Sequence, residues 1–185
     1  VSAAASSAGG SVIPPAAGGS LAAVNATLNS GISYDPGNDP PQTDMVTLTV
    51  SDGLGHSDTV NFVFNEAGQG PVTLTGTSGK DVIFATGHAD TLTGGMSADQ
   101  FVFAPETSPS ADTITDFKPG EDHIDLRAFS FVDSSNIGTW LGNHATTSGA
   151  DTLISLDSGD TITLRNVALA SLHAGDFIVT PHSVI

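Results

Sequence analysis

The sequence predicts an all-β chain: a short parallel β-roll with flanking antiparallel strands, preceded by a partial β-sandwich-like hairpin region. Three observations predict it. From Gly76 the chain reads GTSGKDVIF-ATGHADTLT-GGMSADQFV. Cut every nine residues, it puts Asp81, Asp90 and Asp99 in register, each two residues before an apolar side chain. Upstream, MVTLTV (45–50) and TVNFVF (59–64) alternate apolar and polar residues around Asp52-Gly53, a hairpin pattern. Gly, Thr and Asp are too frequent for long helices, and the best helical candidate is a short turn near Leu126–Phe129.

In chain order, residues 1–20 are rich in Ala, Ser, Gly and Pro and carry no charge, which predicts a linker or disordered end. Residues 21–68 form the hairpin region, with YDPGNDPP (34–41) as loop punctuation. Gly68-Gln69-Gly70-Pro71 marks a boundary, and residues 71–185 form the second unit. Within it Leu74, Ile83, Leu92 and Phe101 are spaced by nine. Such a repeat cannot bury its apolar residue alone, so repeats must stack. If each turn reverses the chain, Leu74 stacks on Leu92 in one sheet and Ile83 on Phe101 in the other. Beyond residue 110, DTITDFKPGEDHIDLRAF predicts strand, turn, strand, and DTLISLDSGDTITLRNV (151–167) a hairpin.

Charge narrows the function. Four Lys+Arg face twenty Asp+Glu, for a formal net charge of −16. Nucleic acid is excluded as a partner, because neutralising phosphates needs clustered Lys and Arg. There is no cysteine, hence no disulfide staple and no thiolate metal site. No apolar run approaches the ~20 residues of a membrane span. The start, VSAAASSAGG, lacks the basic n-region of a secretory signal peptide, so any export address is expected elsewhere.

Stacked coils would lay the loop 76–81 against the loop 94–99, with Asp81 beside Asp99. Two carboxylates ~4 Å apart repel by about 1 kcal/mol in water and by roughly 4 kcal/mol at an effective dielectric of 20. A hard dication taking six to eight oxygens reverses that sign, and glycines let backbone carbonyls turn inward to supply some of them.

These residues resemble the G-G-x-G-x-D-x-U-x nonapeptides of the repeats-in-toxin (RTX) family, in which Asp carboxylates and turn carbonyls hold calcium. The resemblance implies a site of Asp81 with the carbonyls of Gly76 and Ser78, facing Asp99 with those of Gly95 and Ser97. Thr77, Ala85, Thr86, His88 and Ser97 stand where the family prefers Gly. The block Asp112-Thr-Ile-Thr-Asp116-Phe117-Lys-Pro-Gly120-Glu-Asp122-His-Ile-Asp125-Leu126 is similar to the serralysin-type C-terminal domain. There an acidic residue and the block's first Asp close the last site. The matching Glu106 and Asp112 would complete one with Asp90, giving one to three Ca2+ ions in all. Asp116, Asp122 and Asp125 are expected to cap turns, and Asp157 and Asp160 to sit in a hairpin turn.

The stretch 25–68 resembles the later half of the cadherin-like, VCBS-type repeats of large bacterial surface proteins. The tail DTITLRNVALASLHAGDFIV is similar to the uncleaved signals read by Gram-negative type I secretion machinery. Together these imply an extracellular, secreted or cell-surface module, adhesin-like, with calcium and the exporter as partners and a cell-surface or matrix target. The alternative implication is an accessory domain of a secreted protease, lipase or polysaccharide-modifying enzyme. The chain has no H-E-x-x-H, no G-x-S-x-G and no phosphate-binding Gly loop with Lys, and its six histidines never fall at i, i+4. No catalysis is expected of it, and Trp140 and Tyr34 are expected in the core or at the surface rather than as a sugar platform.

Overall fold

In the computed structural model, the described residues are 2–7, 11–13, 17–18, 20, 22–24, 26, 31, 33–35, 43–65, 70–105, 108–156 and 159–182. The fold is all-β at heart: two mixed sheets face each other across one apolar core. Over residues 57–125 the chain winds between them, so that successive strands alternate sheets.

The first sheet contains β6 (Ser57–Asn65), β8 (Lys80–Phe84), β10 (Gln100–Val102), β12 (His123–Asp125) and β16 (Phe177–Ile178), all in parallel order. The second contains β7 (Thr73–Thr75), β9 (Thr91–Thr93), β11 (Ala111–Ile114) and β15 (Thr161–Leu164), also parallel. This is a β-roll, and its register follows the apolar beat. Leu74, Leu92, Ile114 and Leu164 stack in one sheet. Val63, Ile83, Phe101, Ile124 and Phe177 stack in the other. Leu74, Ile83, Leu92, Phe101, Ile114, Ile124 and Leu164 are all fully buried. At about 25 cal/mol per Å² of apolar surface removed from water, these two ladders hold the sheets together.

Antiparallel strands close the roll at each end. Upstream, β5 (Thr43–Ser51) pairs with β6 in the predicted hairpin, and β6 is itself hydrogen-bonded to β8. The hairpin therefore continues the roll's sheet across the boundary expected at Gly68–Pro71, of which Gly68 and Gln69 lie outside the described residues. On its outer face Val46, Phe62, Phe64 and Phe84 line an apolar groove with Tyr34 of β4 (Ser33–Asp35), whose ring meets Phe64 edge-on at 5.2 Å. Downstream, β13 (Ala145–Ser148) and β14 (Asp151–Ser155) add to β15, as the strands predicted within 151–167 require.

Two expectations change. The stretch 1–20, expected as a linker or disordered end, carries β1 (Ser2–Ser7), β2 (Ser11–Ile13) and β3 (Ala17–Gly18). β1 runs antiparallel along β5, whose outer edge would otherwise leave a row of N–H and C=O groups unpaired. The other is helical: Leu126–Phe129 is a turn as expected, closed by Phe129 N–H to Leu126 C=O at 3.0 Å, but the sequence does not announce α1 (Ile137–His144). Gly138 and Gly142 lower its helix propensity, yet Ile137, Trp140 and Leu141 sit at i, i+3 and i+4 and are buried on one face. Trp140 is a core residue, stacked on Phe131 and on His144 at 5.7 and 4.7 Å. The block 111–125 gives strand, turn and strand, and the two strands lie in opposite sheets, so its turn is a coil of the roll.

Candidate metal centre

Each of the first two nonapeptides folds its own turn around its aspartate. Thr77 N–H donates to Asp81 Oδ2 at 2.7 Å, and Thr86 N–H to Asp90 Oδ2 at 2.6 Å. Later in the chain Lys118 N–H donates to Asp122 Oδ2 at 2.8 Å. Such side chains also tie coil to coil. Asp99 Oδ1 accepts the N–H of Asp81 at 3.0 Å, Asp122 Oδ1 that of Asp99 at 3.0 Å, and Asp112 Oδ1 that of Asp90 at 2.8 Å. The regular spacing thus fastens both turn and stack through charge-assisted hydrogen bonds, even without a cation.

Two columns result, one at each edge of the roll. The first holds Asn61, Asp81, Asp99 and Asp122: Asn61 and Asp81 are paired in register on β6 and β8, while Asp99 and Asp122 stand just ahead of β10 and β12. The second holds Asp90 and Asp112, with Asp160 following, its Oδ1 accepting Ser110 N–H at 2.9 Å. All of these aspartates are buried. A cleft of about 970 Å³ opens beside the second column, lined among others by Thr86, His88, Ser108, Ser110 and Gly159. His88 Nδ1 and Thr86 Oγ1 are buried without a hydrogen-bond partner.

The predicted site residues fall as follows. Asp81 is on β8 and Asp99 just ahead of the neighbouring β10, and the loops 76–81 and 94–99 are stacked: Ser97 Oγ donates to Ser78 C=O at 3.2 Å and Met96 N–H to Thr77 C=O at 3.3 Å. Gly76 and Gly95 are where the loops press closest. A Cβ on Gly76 would lie 2.4 Å from Gly94 O, and one on Gly95 2.0 Å from Thr77 O; Gly95 also has φ +104°. Ser97, too, takes positive φ. Asp90 and Asp112 are brought together, while Glu106 and the turn residue Asp157 lie outside the described residues. Asp99 Oδ1 reaches the Asp81 backbone N–H. The Asp81 carboxylate likewise leans toward the preceding coil, where it accepts from Asn61 Nδ2 at 2.9 Å.

Asp99 stands apart. Its Oδ2 is buried and has no hydrogen-bond partner, whereas Asp81, Asp90, Asp112 and Asp122 each receive a donor on both oxygens. In the Asp99 turn the N–H groups of Gly94 and Gly95 go to Asp116 Oδ1 and Oδ2 at 2.9 and 2.8 Å. A Cβ on Gly94 would meet Asp99 Oδ2 at 2.4 Å, so only glycine leaves that oxygen its space. Burial pushes the Asp99 carboxyl up to about 7 against the pull of the Asp81 N–H, and Asp122, Asp81 and Asp116 push the same way. Burial likewise raises Asp112 to about 6. A buried anionic oxygen without a donor, between carbonyl-bearing turns, suits a hard divalent cation. Among the described residues no three His, Asp or Glu side chains converge as a metal cluster. A cation here would therefore draw on turn carbonyls as well as carboxylates.

Sequence reasoning misses four residues that do this work. It assigns Asp122 and Asp160 to turns, does not single out Asp176, and takes Asn61 only as part of a strand. Asp176 accepts the N–H of Gly120 at 2.7 Å and of His173 at 2.7 Å. The available signal is the beat of Asp followed two residues on by an apolar side chain, which continues at Asp122-His-Ile124 and Asp160-Thr-Ile162 after the nine-residue interval is lost.

Stacked parallel coils with an aspartate closing each turn define a β-roll of the RTX kind. Residues 72–182 match the model of the peptidase M10 serralysin C-terminal family, and the chain belongs to that family. No curated protein matches it significantly. Among solved structures it is similar to the AlgE6R3 subunit of the Azotobacter vinelandii mannuronan C5-epimerase, at 24% identity over 64% of this chain and 72% of that one, with a TM-score of 0.49. It is also similar to the extracellular lipase LipA from Serratia marcescens, at 14% identity over 80% of this chain and 27% of that one, with a TM-score of 0.41. Neither likeness carries an activity to this chain.

Proposed function

We propose that the chain is a calcium-binding, non-catalytic C-terminal module of a large secreted or surface-attached bacterial protein, which folds on extracellular calcium and carries an uncleaved type I secretion signal in its tail. The observation that carries the calcium reading is the unpartnered Oδ2 of Asp99 in its buried turn. Asp99, Asp81 and the carbonyls of Gly76, Ser78, Gly95 and Ser97 would hold one ion. Asp90 and Asp112, with Glu106, would hold another. Bound calcium supplies positive charge to the acid columns and adds stability by mass action. With dissociation constants of about 0.1–1 mM, such sites are empty in cytosol and filled outside.

The apolar outer groove of the β5–β6 hairpin supports the adhesin form, since a cadherin-like sandwich needs an apolar face for its second sheet. The family's own description, a peptidase C terminus, supports the accessory-domain form. Catalytic motifs upstream in the parent protein would favour the latter, and tandem sandwich repeats the former. The calcium reading is tested by circular dichroism and thermal melting in EGTA and at about 5 mM calcium, a concentration that fills weak extracellular sites. A higher melting temperature with calcium is expected. An unchanged melt would refute the reading. For export, removal of residues 150–185 should abolish secretion through a type I exporter, and undiminished secretion would remove the tail signal.

A further inference from the structure

We propose that the column Asn61–Asp81–Asp99–Asp122 is built to take a single divalent cation, and that Asn61 and Lys118 are the residues that confine it to the interval between Asp81 and Asp99, a placement that rests on the calcium reading above.

The three intervals of the column differ in how their carboxylate is satisfied. In the first, Asn61 occupies the rung level with Asp81, and Val63 matches Ile83 two residues on. Asn61-Phe62-Val63 is thus a rung of the roll with an amide in place of the acid. Its Nδ2 donates to Asp81 Oδ1 at 2.9 Å and to Thr77 Oγ1 at 3.2 Å, while its Oδ1 accepts from Thr47 Oγ1 at 2.9 Å. Thr77 supplies its own N–H and hydroxyl to Asp81 as well. Both Asp81 oxygens therefore receive donors from the chain itself, and no carboxylate oxygen of this interval is left without one.

The third interval has an internal cation. Lys118 Nζ donates to Gly95 C=O at 3.1 Å, on the turn that precedes Asp99. The Lys118 backbone N–H holds Asp122 Oδ2. The Glu121 carboxylate lies 4.0 Å from the Lys118 ammonium. The Lys118 ammonium and backbone N–H thus already supply a positive charge and a donor on the side of the turn that faces Asp122. In the column the middle interval alone leaves a carboxylate oxygen open: Asp99 receives the Asp81 N–H on one oxygen and nothing on the other. Lys80, the one cation within the repeats themselves, is turned away to Asp58 at 2.9 Å.

The test counts bound calcium on the full chain by equilibrium dialysis and native mass spectrometry, with thermal melts in EGTA alongside. Asn61→Asp replaces the amide with a fourth carboxylate, and Lys118→Gln removes the internal cation from a half-exposed position where the fold tolerates it. Each variant is expected to bind one calcium ion more than the wild type. Each should also melt lower than wild type in EGTA, with the gap closing in calcium. Wild-type counts in both variants would overturn the inference and leave the calcium reading intact. No calcium bound by the wild type would remove the reading and the inference together. If Asn61→Asp fails to fold even with calcium, that too counts against it, and a wild-type count in Lys118→Gln alone then overturns it.

Discussion

Replacing Asp99 by Asn should change stability in opposite directions with and without calcium. Asn keeps the side chain's shape, and its carbonyl can still accept the Asp81 N–H, but it carries no charge. The wild-type carboxyl, raised from 3.8 to about 7 in the folded protein, binds its proton more tightly there than in the unfolded chain. Ionising it therefore costs stability: the metal-free fold loses ground as pH rises from about 4 to about 7. At about 1.4 kcal/mol per pH unit the ceiling is about 4 kcal/mol, and relaxation and water at the turn reduce this to about 2 kcal/mol. In EGTA at pH 7.5 Asp99→Asn should melt about 4–8 °C above wild type, and its stability should vary less between pH 4 and 7. In calcium the order should reverse, because the variant has lost a ligand. Calorimetry at four combinations of pH and calcium reads all of this. A variant that melts below wild type in EGTA at pH 7.5 would refute the claim that this carboxylate is unsatisfied.

Three further outcomes are expected. Gly95→Ala should cost about 2–3 kcal/mol or more in urea unfolding, because its Cβ would lie 2.0 Å from Thr77 O, whereas Gly120→Ala, at φ +82° in open space, should cost only about 1–2 kcal/mol. Leu92→Ala should cost about 3 kcal/mol by the same assay, since Leu92 is fully buried between Leu74 and Ile114. Arg127→Met should cost about 1–2 kcal/mol at pH 7, because burial would raise Asp125 but the bonds from Arg127 hold it below its ordinary value. That contribution is present above about pH 4 and is lost as pH falls through the folded value, so wild type and variant should converge in acid.

The roll is legible in the sequence because its period is short and rigid. One Asp per nine residues and one apolar residue two positions later leave a single stacking register, and Leu74 on Leu92 and Ile83 on Phe101 follow from it. Once connections lengthen, the interval no longer informs: Asp122 and Asp160 read only as turn residues and Asp176 escapes notice, although all three also accept an N–H from another coil. Asn61 is hidden for another reason: its amide donates to Asp81, a bond no carboxylate could make, and a search for carboxylates passes over it. The direction in which each carboxylate leans depends on which coil offers a free N–H, a tertiary property that no spacing reports. β1 is held by backbone pairing along an edge, so Ala and Ser suffice there and no pattern marks it.

The parallel contact of β6 with β8 has a practical consequence for the size of the folding unit. A polypeptide starting at Pro71 would keep the whole family segment, yet it would expose the flank of β8 and strip Asp81 of its amide neighbour. The smallest self-sufficient piece should therefore begin no later than Thr43, so that both arms of the upstream hairpin come with it.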